Sequence, residues 1–203
     1  MNMIQVLGLA LGAAWTSGLN LYATVAMLGL LQHYKLAQLP GGLHVLDNHW
    51  IIGVAIFLYV VEFFADKIPY VDTVWDGVHT FIRVPAGAVL AAAATSDINP
   101  TVQVVALLLG GGLALSTHGT KATVRAGANL SPEPLTNWAL SLSEDVLAVG
   151  AVVLAVVYPV GMFALLLIFL LLLIWILPKV LRRIRRMSKA AADFFRGRTL
   201  EAR

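Results

Sequence analysis

Asp72, Asp76, His79 and Arg83 follow one another at intervals of four, three and four. At roughly 100° per residue they fall within an arc of about 60° on one helix face. Such a stripe can handle charge. Carboxylates take up protons or cations, histidine titrates between about pH 5 and 8, and arginine holds a fixed positive charge. The pattern recurs. Asn137, Ser141 and Glu144 repeat the four–three spacing with Asp145 beside them, His118, Lys121 and Arg125 share one narrow face, and Glu62 and Asp66 stand four apart, followed by Lys67.

The elements that carry these stripes are apolar. Of 203 residues 59% are hydrophobic and only 12% charged, and mean hydropathy is +0.83. Soluble domains carry roughly a quarter charged residues, so most of this chain belongs in lipid. The first charged side chain is Lys35, and none occurs from Val146 to Pro178. A bilayer-spanning helix needs about 20 apolar residues. The opening lacks the basic start of a cleavable signal peptide. Without cysteine there are no disulfides, thiolate metal sites or thiol nucleophiles.

The expected architecture is all-α, a polytopic membrane protein of about six transmembrane helices. They are read near 4–31, 50–65, 73–95, 101–125, 137–157 and 160–178, with a possible interruption at 16-TSGLN-20. The loop 32–49, with Pro40, Gly41 and Gly42, reads as a surface connection. Residues 1–178 form the membrane domain and 179–203 a basic juxtamembrane tail. Within 179–198, Lys179, Arg182, Arg183, Arg185, Arg186, Lys189, Arg196 and Arg198 stand against Asp193. Such a cluster marks the cytoplasmic side and attracts anionic headgroups. Both termini are then cytoplasmic, as are the 64–73 and 118–137 connections with Lys67, Lys121 and Arg125. The expected location is an inner (plasma) membrane. Nucleic acid is not expected as a partner.

A frame P-x3-T-x-W-x11-G occurs twice, at Pro69, Thr73, Trp75, Gly87 and at Pro132, Thr136, Trp138, Gly150. It suggests a parallel two-helix repeat, against chance agreement between Ala/Val-rich segments. Repeats of this kind occur in transporters.

A charge at the bilayer centre costs at least about 2.5 kcal/mol, so the stripes face one another or a wet cavity, with acids paired to Arg83, Lys121, Arg125 and the histidines. Arg83 or Arg125 is expected to meet Glu144 or Asp145. A functional reading is a polar pathway, with Asp72, Asp76, His79, Arg83, His118, Lys121, Arg125, Asn137, Ser141, Glu144 and Asp145 as its lining. A bland reading is an electrostatic clamp between helices. Asp66, Lys67 and Glu133, near span ends where long side chains snorkel, carry less information. His44, Asp47 and His49 form a weak metal-ligand pattern, and the metal question stays open. No serine-hydrolase, zinc-protease, Walker or dinucleotide motif is present. No enzyme activity and no cofactor are expected.

The segments 17-SGLNLYATVAMLGLL-31, 62-EFFADKIPYVD-72, 75-WDGVHTFIRVPAGA-88, 118-HGTKATVRAGANLSPEP-134 and 137-NWALSLSEDVLA-148 resemble a family of small bacterial integral membrane proteins catalogued as a domain of unknown function. The resemblance covers roughly residues 10–157 and leaves out the last span and tail. The family has proline where this chain has Val84. The resemblance implies a membrane domain with polar motifs at these positions, and Asn20, Glu62, Asp66, Lys67 and Asn129 join the candidates as a second set. Two weaker likenesses exist. Glu62–Lys67 is similar to the E-x-G-D-K signature of cation exchangers but one residue too long, and Phe81–Gly87 resembles the arginine–proline segments of DedA-type lipid-phosphate flippases. The expected function is passage of an ion or small polar solute by a homo-oligomer in contact with membrane lipids. The alternatives are lipid-headgroup or polyprenyl-phosphate handling, or a non-transporting scaffold.

Overall fold

The computed structural model describes residues 1–68, 70–129 and 134–195. Seven α-helices follow in order: α1 Met3–Leu19, α2 Leu21–His33, α3 His49–Ala65, α4 Val71–Ala94, α5 Pro100–Ala128, α6 Pro134–Val157 and α7 Pro159–Phe195. A 3₁₀ helix, Gly41–Asp47, precedes α3. The protein is an all-α polytopic membrane protein. Pro69 and residues 130–133, including Pro132 and Glu133, lie outside the described residues.

Asparagine starts four of the helices. The Asn2 side chain accepts from Gln5 N in a capping box, Asn20 from Ala23 N, Asn48 from Trp50 N and Asn99 from Val102 N. Each satisfies a donor that the first helical turn leaves free. In lipid this matters more, because no water replaces the missing partner.

The span inventory differs from the six expected. Four helices are long and apolar enough to cross a bilayer: Val71–Ala94, Pro100–Ala128, Leu135–Val157 and Pro159–Val180. The 3₁₀ helix and α3 make a fifth candidate, bent by 76° at Asn48. Residues 32–49 are therefore more than a surface connection, and Leu39, Leu43 and Leu46 in them are buried. The first expected span is two short helices, because Asn20 leaves helical geometry (φ −147°, ψ 102°) and caps the helix that follows. The last helix continues through Pro178 as far as Phe195.

Helix contacts divide the chain into two units, Met1–Phe163 and Ala164–Arg203. The first holds α1–α6 and the start of α7. In it α4 packs chiefly on α5, and α1 packs on α4, α5 and α6. The seam between α1, α4 and α5 is lined by small residues. A Cβ on Gly87 would sit 2.5 Å from Ala114 Cβ and 2.8 Å from Ser17 Oγ, and one on Gly110 would sit 2.5 Å from Ala91 Cβ. Only glycine lets these backbones approach so closely. The second unit is the rest of α7, whose apolar run gives way to the basic stretch at Lys179. The Lys179 ammonium lies over the Trp175 ring, 3.0 Å from its centroid.

Polarity in α4 is inside out. Asp72, Asp76, His79 and Arg83 are buried, whereas Val71, Val74, Val78, Phe81 and Ile82 are exposed. A helix with apolar residues outward and charges inward has lipid for its solvent.

The two copies of the P-x3-T-x-W-x11-G frame meet different surroundings. Gly87 sits in the tight seam, and Gly150 has open space at its Cβ position. Trp75 stacks on His79, while Trp138 lies near Lys67. Pro69 and Pro132 of the two frames lie outside the described residues.

Candidate functional site

The polar stripes meet in one buried network. Glu62 on α3, Asp66 at its C-cap, Asp72, Asp76, His79 and Arg83 on α4, His118, Lys121 and Arg125 on α5, and Asn137, Ser141, Glu144 and Asp145 on α6 are all buried. Asn20, Lys67 and Asn129, from the second set, are buried with them. Every candidate side chain of both sets is thus buried.

Three cations pair with three carboxylates. Arg83 Nη2 donates to Glu62 Oε1 at 2.5 Å. Lys121 Nζ donates to Asp66 Oδ2 at 2.9 Å. Arg125 grips Glu144 through Nε (3.1 Å) and Nη2 (2.5 Å) to Oε2. Its Nη1 donates to the Asp66 carbonyl at 2.6 Å and its Nη2 to Asp66 Oδ2 at 3.0 Å. Of the expected pairs Arg125–Glu144 forms. Arg83 meets Glu62 rather than Glu144 or Asp145, because α4 presents that arginine toward α3 and the end of α1. Asp66, set aside as a span-end residue, is a hub between Lys121 and Arg125. Lys121 and Arg125, read as part of a cytoplasmic connection, lie on the buried face of α5.

The break in the first span lies against this network. Where α1 ends, the carbonyls of its last residues have no helical partner. Arg83 Nη1 donates to Leu19 O at 3.1 Å and Gly18 O at 3.4 Å, and Lys121 Nζ donates to Leu19 O at 3.2 Å. Two cations therefore sit at the negative end of a helix dipole. Asn20, the breaking residue, donates from Nδ2 to Asp145 Oδ1 at 3.0 Å.

At one end the network continues through amides. Asn137 Nδ2 donates to Asn129 Oδ1 (3.1 Å), and Asn129 Nδ2 donates to Asp72 Oδ1 (2.8 Å) and Thr73 Oγ1 (2.9 Å). Lys67 Nζ donates to Ser141 Oγ at 3.1 Å and to Phe63 O at 2.9 Å. At the other end, past Arg83 and His118, lies the small-residue seam of Gly87, Ala114 and Gly110. From Asp72 to Arg83 the ladder rises about 16 Å, roughly half of a ~30 Å hydrocarbon core.

Both histidines have their ring nitrogens occupied. Trp75 O lies 2.8 Å from His79 Nδ1, which carries the proton, and His79 Nε2 accepts from the Tyr22 hydroxyl at 3.0 Å. Arg83 Nη1 donates to His118 Nδ1 at 3.1 Å, so the His118 proton is on Nε2, facing the Asp76 carbonyl (3.0 Å) and Thr80 Oγ1 (2.8 Å). Tyr22, Thr73, Trp75 and Thr80 also touch the network, although none was among the expected pathway residues. Thr73 and Trp75 had a sequence signal in the repeated frame, and Tyr22 and Thr80 only their proximity to the stripes.

Charge does not balance inside the network. Among the described residues six carboxylates are buried, Glu62, Asp66, Asp72, Asp76, Glu144 and Asp145, against four cations, Lys67, Arg83, Lys121 and Arg125. Glu62 Oε2, Asp66 Oδ1, Asp72 Oδ2, both oxygens of Asp76 and Asp145 Oδ2 have no hydrogen-bond partner. At the edge of the spans, burial pushes the Asp66 carboxyl up, but Lys121 and Arg125 outweigh it and hold the group below its ordinary value.

The weak metal pattern at His44, Asp47 and His49 is not assembled. Asp47 instead pairs with His33 Nδ1 at 2.8 Å, and the His33 ring meets His49 edge-on. Among the described residues no group of three or more His, Cys, Asp or Glu side chains is placed to hold a metal ion.

The fold and the network define a polytopic α-helical membrane protein with a buried ionic ladder. The chain belongs to the family described as "Domain of unknown function (DUF4126)", whose model matches residues 7–179. The match runs past the 10–157 of the resemblance and takes in the last apolar run. No curated protein and no solved structure matches the chain.

Proposed function

We propose that this protein passes an ion or small polar solute across the membrane, with the buried ladder as its pathway. The observation that carries the reading is the helix break at Asn20, set against the ladder. Broken helices whose free backbone groups face charged side chains at mid-membrane are how secondary transporters build ion sites. Here the freed carbonyls of Gly18 and Leu19 face Arg83 and Lys121.

Two comparisons favour this reading over its alternatives. A scaffold clamp calls for matched charges, and the network has two more carboxylates than cations. Phosphate handling calls for cations free to take a phosphate, and Arg83, Lys121 and Arg125 each already touch two or more carboxylates. The excess of acid suits a cation or protons. The basic stretch after Lys179 supports a cytoplasmic C-terminus by the positive-inside rule.

Reconstitution tests the proposal. Sealed proteoliposomes are given gradients of protons, monovalent cations, anions and phosphate in turn, with protein-free liposomes as reference. Dissipation of at least one gradient faster than the reference supports it. Vesicles that stay tight to all of them return the advantage to the scaffold.

A further inference from the structure

We propose that Asp76 and Asp145 are the carboxyls of this site that take up and release protons, which makes protons the charge it carries. The inference rests on the transport reading and names its substrate class.

The assignment comes from pairing. Glu62, Asp66 and Glu144 are consumed by hydrogen-bonded pairs with Arg83, Lys121 and Arg125. Three carboxylates remain for one cation, Lys67. Asp72 is equipped to stay charged. It lies in the first turn of α4, at the positive end of the helix dipole. Its Oδ1 accepts from Thr73 N at 2.6 Å and Asn129 Nδ2 at 2.8 Å, and Arg125 Nη1 lies 3.5 Å from its Oδ2. Asp76 has no such support. Its residue is 2% exposed and neither carboxyl oxygen has a hydrogen-bond partner. The groups that face it are Arg83 Nη1 at 3.5 Å, Lys121 Nζ at 3.8 Å, and Arg125, Asp66 and His79, with His118 on its carbonyl. Arg83, Lys121 and Arg125 all have closer carboxylates. Among the described residues no cation lies within ion-pair distance of Asp145. Its hydrogen-bonding neighbours are the neutral Asn20 amide and the neutral Tyr59 hydroxyl, and Lys67, Lys121, Asp66 and Glu62 face it from α3, its C-terminal turn and α5.

A carboxylate in a dry interior whose oxygens lack hydrogen bonds, and whose neighbouring cations have closer partners, neutralises more readily than one that is fully paired. Two such groups against a surplus of two negative charges account for the imbalance. A metal ion would need a cluster of ligands that the described residues do not offer. The two groups also flank the helix break, Asp145 through Asn20 and Asp76 through Arg83 and Lys121. Proton transfer at either one therefore changes the charge that holds the broken ends.

Infrared spectroscopy of the purified wild type at about pH 5, where an ordinary aspartate is ionised, reads the protonated-carboxyl C=O band directly. The band is expected, weakened by Asp76→Asn and by Asp145→Asn, and absent from the double variant. Thermal stability at the same pH gives a second reading. Both substitutions replace a neutral acid with a neutral amide, so melting temperatures stay near wild type, whereas Glu62→Gln and Glu144→Gln, which strip a partner from a buried cation, lower them clearly. A wild type without the band overturns the assignment, as does a band that survives the double variant. Equal losses of stability across all four substitutions overturn it too. Flux of another ion in liposomes, with no protonated carboxyl, leaves transport standing and defeats only the proton. Protonated carboxyls in vesicles that pass nothing defeat transport and leave the protons as structural.

Discussion

Replacing Arg125 with glutamine tests the energetics at the centre of the network. The guanidinium is fully buried and serves Glu144 through two nitrogens and Asp66 through its carbonyl and carboxylate. Glutamine keeps some length but removes the charge and the fork. Glu144 keeps only the Lys121 ammonium, at 3.4 Å, and Asp66 keeps Lys121 at 2.9 Å. One ammonium then serves both acids. Removing one partner of a buried pair costs about 3–5 kcal/mol, most of it from the charge left behind. By the conversion for soluble domains of this size, roughly 2–4 °C per kcal/mol, the melting temperature in detergent falls by about 6–20 °C. Unfolding followed by intrinsic tryptophan fluorescence measures it. Adding Glu144→Gln removes the stranded charge and restores a good part of the loss. A single variant that melts with the wild type would refute the reasoning, since it would place these charges in water. A double variant no better than the single would refute the pairing.

Asn20→Ala removes the cap on α2 and the amide held by Asp145. It should lower stability by about 1–2 kcal/mol and slow any flux in liposomes, and unchanged flux would separate the helix break from function. The depressed Asp66 carboxyl gives a pH signature. Because its folded value is lowered, the stability it contributes is present above the ordinary value of 3.8 and is lost as pH falls through the folded value. Acid melting curves should therefore show a stability loss below about pH 4 that Asp66→Asn removes. Topology follows from α4, which separates Tyr70 from the turn at Asp97. With the basic stretch cytoplasmic, cysteine at Asp97 reacts with an impermeant reagent in intact cells and cysteine at Tyr70 does not. Equal labelling contradicts one crossing by α4.

The membrane-facing half of the architecture was legible because lipid imposes a simple rule. Helical spacing of Asp72, Asp76, His79 and Arg83 against outward Val74, Val78 and Phe81 identifies the buried face without knowledge of what covers it. The same holds for His118, Lys121 and Arg125. Pair partners were not legible. Arg83 to Glu62 depends on where α3 and α4 cross, and no spacing within one helix encodes a crossing. Asp66 was undervalued for a related reason. Its position at a helix end suggests exposure, but α5 covers that end and brings two cations to it. The TSGLN stretch was readable as an interruption of the first span, whereas the docking of Arg83 and Lys121 on its carbonyls is a tertiary fact. The bend at Asn48 hid a fifth candidate span's first turn inside what reads as a glycine–proline loop.

The most direct test of charge passage along the ladder is proton flux into sealed proteoliposomes under an imposed pH gradient, followed with an entrapped pH-sensitive dye. Wild type is expected to collapse the gradient faster than protein-free vesicles. Asp76→Asn, which removes the protonatable group yet should leave a monodisperse, wild-type-stable protein, is expected to return the rate to that of protein-free vesicles. Wild-type vesicles as tight as protein-free ones, or an Asp76→Asn variant as fast as wild type, would contradict it.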